Sequence, residues 1–365
     1  MTCGHATDPI VYVNLQMSKL PSLQDIADAV GVSKMTVSLS LRDHPRIPVA
    51  TRERIKAAAE KLGYKPNPEV AQLMSVIRKH KPNENGLPLA YITTGANQNV
   101  WRESPTELAY WNGACQRAKS YGYYIEEYWL EKPLMSARRL SDILWNRGIM
   151  GVIIPPVFRT LTETSRNVHL DLKWDRFCAV TIGDPLTSPQ VNRVVHDHYS
   201  STLTAMTRLQ DLGYRRIGLF LREHMDLTVN QRWQAGYRVF RANHPVEHIE
   251  PLIIPELDAA RVKQWIKKNR IDALLSADRN MPDFFNQMGI RMGEEVAYAD
   301  LDVVPDDPIY KDVGGIVQNS ELLGMAAVDI LVAAVQRGQT GVPKVPFVTQ
   351  VEGYWLERGS TPPKH

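Results

Sequence analysis

Two stretches of this chain carry side chains at a spacing that could do chemistry. The first is Gly31-Val-Ser-Lys-Met-Thr-Val-Ser38, with hydroxyls at Ser33, Thr36 and Ser38 beside Lys34. On one helical turn such groups suit nucleic acid: hydroxyls meet phosphate oxygens, and the outward side chains of the first turn meet base edges. The second is His196-Asp-His198, the one dense histidine–aspartate cluster, whose types would also suit a metal ion. No phosphate-binding Walker loop, Gly-x-Ser-x-Gly elbow or His-Glu-x-x-His helix occurs, so no catalytic constellation is assembled. Cys3, Cys115 and Cys178 are scattered and odd in number, which fits idle thiols in a reducing compartment better than a disulfide frame or a zinc site. The expectation is a non-enzyme without cofactor or metal.

The elements around the first stretch are legible. Leu23, Ile26, Ala27 and Val30 recur at helical spacing behind Ser22, a ready N-cap, and Gly31 stops that helix where a left-handed residue is wanted. Ser33 caps a second helix over Lys34–Leu41, broken by Asp43, His44 and Pro45. Thr51 opens a third, Arg52 to Leu62, with Ile55, Ala58, Ala59 and Leu62 on one face and Gly63 closing it. Three short helices with a tight glycine turn between the first two form a helix-turn-helix, whose second helix enters the major groove. Charge agrees. Residues 18–82 hold 12 Lys/Arg against 6 Asp/Glu, whereas the whole chain is only +3, so the basic excess is confined to this end and points to a polyanion partner there.

The run Gly31 to Ser38, then Thr51-Arg-Glu-Arg-Ile55, then Leu62-Gly-Tyr-Lys-Pro-Asn67, resembles the headpiece of the LacI/GalR repressor family. The resemblance implies base reading by Lys34, Met35 and Leu39, with phosphate contacts from Ser33, Thr36, Ser38, Tyr64 and Asn67. Many members carry arginine where this chain has Leu39, which cannot make a bidentate guanine contact, so the operator is expected to differ at that base pair. The resemblance further implies a hinge helix after Asn67 that places Leu73 as a wedge in the minor groove of a palindromic operator, paired with a second subunit. The apolar face Val70, Leu73, Met74 and Ile77 equally suits a linker helix packed on the core.

Beyond Leu87 short apolar runs alternate with helical stretches, the mark of a parallel α/β sheet. Strands read at 89–93, 123–128, 151–155 and 178–182, with helices at 108–121 and 136–147 between them. The rhythm restarts with a helix at 200–212 and continues as strand 216–221, helix 230–242, strand 271–275 and strand 295–298. Two such lobes imply a cleft between them, with ligand bound beyond the carboxyl ends of the strands. Leu209-Gln-Asp-Leu-Gly-Tyr-Arg-Arg-Ile-Gly218 and Gly315-Ile-Val-Gln-Asn-Ser-Glu-Leu-Leu-Gly324 resemble the family's sensor core, which is like a periplasmic sugar-binding protein. The fold class expected is therefore an N-terminal all-α helix-turn-helix headpiece plus a two-lobed, periplasmic-binding-protein-like α/β core with parallel sheets. The domains expected are headpiece 18–66, hinge and linker 67–86, and core 87–357. Lobe one takes about 87–193 and 318–340, and lobe two about 194–317 and 341–357.

By the same resemblance the ligand candidates are Arg232, or Trp233 one register on, Asp278, Asp300 or Asp302, and Gln318, which closes the cleft. His196-Asp-His198 falls on a crossing between lobes. Sugars are held by paired polar groups under an aromatic face, which Trp101, Tyr110, Trp111, Tyr128 or Trp233 can supply. The expectation is a ligand-controlled homodimeric repressor answering to a carbohydrate, with a solute-binding protein or a sensor of another ligand class such as a nucleobase as the alternative. No run of about 18 apolar residues occurs, so no membrane partner is expected. Met1 to Gln16 lacks the basic start and apolar core of a signal peptide, which suggests a cytoplasmic protein with Met17 as a candidate start.

Overall fold

A computed structural model describes residues 21–41, 47–64, 86–156, 168–184 and 186–364. Asn67, Leu73, the breaker Asp43-His44-Pro45 and the hinge up to residue 85 lie outside the described residues. The chain divides into two units, Met1–Arg78 and Lys79–His365.

The N-terminal unit is built on α1 (Leu23–Val30), α2 (Lys34–Ser40) and α3 (Val49–Lys61). Ser22 caps α1 reciprocally with Asp25: each side chain meets the other's backbone N–H. Gly31 takes the left-handed conformation (φ 69°), and the N–H groups of Gly31 and Val32 both return to the Ala27 carbonyl. Ser33 then caps α2 by accepting the Thr36 N–H at 3.1 Å. Ile26, Ala27, Val37, Ile55 and Ala59 form the small core. The third helix starts three residues earlier than its sequence suggested. Pro48, with its ring-fixed φ of −54°, begins the turn without a side-chain cap, and the Thr51 N–H bonds to its carbonyl.

The C-terminal unit contains two six-stranded sheets. The first takes β1 (Leu87–Thr93), β2 (Tyr123–Trp129), β3 (Gly151–Ile154), β5 (Cys178–Ile182), β7 (Asn192–His196) and β13 (Val348–Val351), in the order β13-β7-β5-β3-β1-β2. A two-strand pair, β4 (Val168–His169) with β6 (Leu186–Ser188), flanks it in sequence. The second sheet takes β8 (Ile217–Arg222), β9 (Leu252–Ile254), β10 (Ala273–Ser276), β11 (Ala297–Asp300), β12 (Gly314–Val317) and β14 (Tyr354–Leu356), in the order β14-β12-β11-β10-β8-β9, with only β14 antiparallel.

Strand alternation sorts the apolar side chains onto two faces. Leu89 and Tyr91 pack under the helices Pro105–Ser120 and Ser320–Arg337, while Ala90 and Ile92 pack under Ala137–Asn146. In the second lobe Leu219 and Leu221 face one layer and Phe220 the other. The chain passes between lobes at Asp197, at Gln318–Asn319 and at Glu352–Gly353, and these passages touch. A Cβ on Gly353 would stand 2.7 Å from the Val317 carbonyl and 2.8 Å from the His196 ring.

The lobe boundaries therefore differ from those expected. Residues 194–196 close β7, and β13 pairs in parallel with β7, so 341–351 stay in lobe one and the last passage falls after Val351. The second lobe also extends past 357, because Ser360 and Lys364 bond back to Tyr298 and Leu212.

Candidate functional site

In the N-terminal unit α2 turns Val37 and Ser40 inward and leaves Lys34 and Met35 outward, Met35 being 68% exposed. Thr36, Ser38 and Leu39 are half-buried. The Ser33 and Thr36 hydroxyls bond each other at 2.9 Å, so the pair retains one hydroxyl hydrogen for an outside acceptor. Tyr64 packs against the core of this unit.

In the C-terminal unit the chemistry collects where strand order reverses. From β1 the chain steps to β2 on one side and then to β3 on the other; β8 with β9 and β10 repeat this. Such switch points leave crevices beyond the strands' carboxyl ends. The first-lobe crevice, too narrow here to admit a water, is lined by Tyr91, Thr94, Trp101, Glu107 and Pro155. Glu107, Tyr110 and Trp111 lie at i, i+3 and i+4 on the helix Pro105–Ser120, one face of it. Tyr91, Trp101 and Trp111 form one aromatic cluster, with ring centroids 5.1 to 6.1 Å apart. The second-lobe crevice takes Arg222 from the end of β8, Ser276 and Asp278 from the end of β10, and Asp300 and Asp302 from β11 and the turn after it. Register places Ser276 beside Asp300 and Asp300 beside Gly315.

Polar links cross from lobe to lobe. Thr106 donates to Asp302 Oδ2 at 3.0 Å. Asp184, just beyond β5, pairs with Arg193 of its own lobe at 3.2 Å and with both terminal nitrogens of Arg232 from the other. Arg222 Nε lies 2.6 Å from Asp278 Oδ2, an ion pair whose N–H is not aligned for a hydrogen bond; Asp278 Oδ1 instead accepts from Asn280. Asp300 accepts from the Tyr298 hydroxyl and from the Asp302 N–H. Gln318 donates to the Leu301 carbonyl at 2.8 Å.

Burial shapes the electrostatics of this crevice. It raises Asp300 to about 7 and Asp302 to about 6, and it pushes Glu107 well above the usual carboxylate range, with the Asp302 charge adding to the effect. Burial also lowers His196 to about 4 and depresses His198 further from its ordinary value, so both imidazoles are neutral at pH 7. His196 shares a proton with Ser201 at 2.7 Å, and no group of three or more metal-ligating side chains forms among the described residues.

Of the residues singled out in the sequence, Arg232 and Asp302 bond across to the other lobe, Asp278 and Asp300 stand at strand ends of the second lobe, and Gln318 lies on a passage between lobes. Trp233 makes no such link. It packs into the second lobe's core against His198, which leaves Arg232 as the residue of that turn facing the other lobe. Trp101 is buried and donates to Glu127 at 2.8 Å, and half-buried Tyr128 donates to Glu126. Sequence reasoning missed Tyr91, Glu107, Asp184, Arg193 and Arg222. The signal available for Asp184 and Arg222 was position, since each stands at the carboxyl end of an apolar strand. Among the buried side-chain atoms with no hydrogen-bond partner are Tyr91 Oη and Thr94 Oγ1 in the first lobe and Ser276 Oγ and Asp302 Oδ1 in the second. Orphaned polar groups are rare in folded proteins, and each leaves hydrogen-bonding capacity open to water or a polar ligand.

Residues 22–67 match the sequence model of the bacterial regulatory proteins, lacI family. Over 139 residues the chain is 37% identical to the HTH-type transcriptional regulator GntR of Escherichia coli K12, a match spanning 37% of this chain and 37% of that protein. Among solved structures it is similar to a transcriptional regulator CelR–cellobiose complex (22% identity, 93% of this chain and 99% of that one, TM-score 0.57). It is also similar to a lac repressor dimer bound to operator and the anti-inducer ONPF (20% identity, 94% and 100%, TM-score 0.54). The headpiece and the two-lobed parallel α/β core stand as expected. No helix among the described residues is long and apolar enough to cross a membrane.

Proposed function

We propose that this chain, whose N-terminal domain belongs to the lacI family of bacterial regulatory proteins, is a DNA-binding transcriptional repressor controlled by a carbohydrate held between the lobes of its core. It has no catalytic role. The observation that carries the reading is the pairing of two features in one chain: an outward Lys34–Met35 turn on a capped recognition helix, and a core whose facing walls present buried polar atoms without partners. Lys34, Met35 and Leu39 read bases; Ser33, Thr36, Ser38, Tyr64 and Asn67 position the helix on phosphates, and Leu73 is the minor-groove wedge. Arg232, Asp278, Asp300, Asp302 and Gln318 hold the effector. The protein acts as a homodimer, as the lac repressor of similar fold does, because a palindromic operator presents half-sites about one helical turn apart to a two-fold partner. Ligand that closes the lobes on one another changes the dimer's operator affinity, and the coupling is reciprocal.

The test is selection of duplexes from a random pool by the full chain, followed by gel-shift titration. Met35→Ala is expected to weaken the selected duplex by roughly 10- to 100-fold, the worth of one good base contact, and to leave random DNA binding unchanged. Equal losses on both DNAs, or no enriched sequence, would refute a base-reading α2.

A further inference from the structure

We propose that the first-lobe wall around Glu107 is a cation-binding subsite, so that the effector presents a protonated amine beside its hydroxyls: an amino sugar, not a neutral sugar or a sugar acid. The inference rests on the regulator reading above and narrows its ligand class.

Among the described residues the cleft's arginines are already committed. Arg222 is paired with Asp278, Arg193 and Arg232 with Asp184, and Arg102 with Glu127 at 2.5 Å. Three buried carboxyls have no such partner. Among the described residues Asp300 is held by a phenol and a backbone N–H, Asp302 by Thr106 with its Oδ1 orphaned, and no hydrogen bond or ion pair reaches the Glu107 side chain. An anionic ligand entering here would meet Glu107 and Asp302 with no free guanidinium among the described residues to answer it, whereas an ammonium would supply the charge that both lack.

The surroundings fit that occupant. Tyr91, Trp101 and Trp111 cluster beside Glu107, and aromatic faces backed by a carboxylate are the usual cradle of alkylammonium groups. One cation already uses this cluster from outside: Arg102 lies 4.2 Å over the Trp101 ring, its charge answered by Glu127. The orphaned Tyr91 hydroxyl, fully buried and bordering the same crevice, provides a further acceptor. Ser276 and Thr94 leave hydroxyls for the sugar's own oxygens.

Carboxyls that hold protons without ligand must release them when an ammonium arrives, so binding is expected to expel protons. Glu107 faces Asp302, Tyr91 and Tyr110; Asp302 faces Glu107, Asp300, Tyr110 and Tyr310. All are acids, so lowering the pH neutralises negative charge here and adds no opposing cation. Amine affinity should fall by up to about tenfold per pH unit below the titration of the carboxyl that must ionise.

The experiment uses the full chain and seven probes: glucosamine, galactosamine and mannosamine, their parent hexoses, and gluconate. Melting shifts and calorimetry, in two buffers of different ionisation enthalpy, give affinity and proton release. At least one amine should bind about a hundredfold tighter than its parent hexose, with net proton release near neutral pH. Glu107→Gln should remove most of that preference while its melting temperature is held or raised, which separates a lost subsite from a lost fold. If a hexose or gluconate binds as tightly as its amine, if no amine binds, or if Glu107→Gln leaves the preference intact, the cation subsite is overturned. Binding to the selected duplex is scored separately, without ligand and with each probe. Its survival alongside a neutral-sugar effect would leave the regulator reading standing; its absence would sink that reading whatever the ligand.

Discussion

Asp302 and His196 sit a few residues from lobe crossings or strand ends and respond to burial in opposite senses. Asp302 is raised to about 6 by burial, so the folded chain binds its proton more tightly than the unfolded chain, and its contribution to stability falls as pH rises from about 4 through 6. His196 is lowered to about 4, so the unfolded chain takes up the proton first, and its contribution rises with pH from 4 to the ordinary imidazole value. The two oppose each other between about pH 4 and 6, and the wild-type curve alone hides both. Asp302→Asn is isosteric and keeps an acceptor for Thr106, so its melting temperature relative to wild type should climb from near zero at pH 4 to a gain of a few degrees at pH 8. A gain that did not vary with pH would show that Asp302 titrates normally. Glu107 shows why such groups were hard to find in the sequence. Ser104-Pro-Thr-Glu107 has the spacing of a capping box, in which the glutamate folds back to the Ser104 N–H. Here that N–H bonds instead to the Trp101 carbonyl, and the carboxyl is left to the cleft. Which of two acceptors a backbone N–H takes is decided by the loop before the helix, and that loop has no periodic signal.

The helix that carries Glu107 is placed by glycines. A Cβ on Gly113 would stand 2.0 Å from the Glu321 carbonyl oxygen, and one on Gly324 would stand 2.1 Å from that of Tyr110. Both contacts are with backbone, which cannot swing away as a side chain can. The helices Pro105–Ser120 and Ser320–Arg337 are therefore pressed together along two bare patches, and Gly324 lies opposite the residue three beyond Glu107. Gly324→Ala must push the helices apart. It should cost roughly 3 kcal/mol, or about 6 to 12 °C in melting temperature for a unit of this size, and weaken ligand binding more than any surface change on the same helix. A variant melting within one degree of wild type would mean that the crossing is loose. Elements with a strong period were legible: α1, α2 and the apolar strands from Leu89 to Ile182 fall within two residues of their expected bounds. The helices Ala259–Asn269, Met281–Met288 and Ser320–Arg337 were not singled out as helices. β13 was placed in the wrong lobe because three of its four residues are exposed on a sheet edge, which leaves no buried apolar run to betray it.

Across the whole sensor unit, lobe-to-lobe closure concentrates on few bonds. The three passages at Asp197, Gln318–Asn319 and Glu352–Gly353 lie together and act as a common hinge, with the Asp197 N–H on the Val351 carbonyl and Asn319 on that of Glu352. Away from it, the polar links named between the walls are Thr106 with Asp302 and Asp184 with Arg232. The Asp184 carboxylate is nearly buried and serves two guanidinium groups, one from each lobe, so removing its charge leaves Arg193 and Arg232 facing each other across the cleft. A buried pair broken on one side is costly because the remaining charges lose their compensation. Here the cost can be relieved without unfolding, by parting the lobes so that water reaches both arginines. Asp184→Asn is therefore expected to open the unit: its radius of gyration by small-angle scattering should increase, while the melting transition stays cooperative. Ligand affinity should fall, because part of each binding event is then spent on closure, and saturating ligand should bring the radius back to the wild-type value. An unchanged radius with a lowered melting temperature would instead identify Asp184 as a plain stabilising residue of lobe one, and the hinge would have to be sought in the passages themselves.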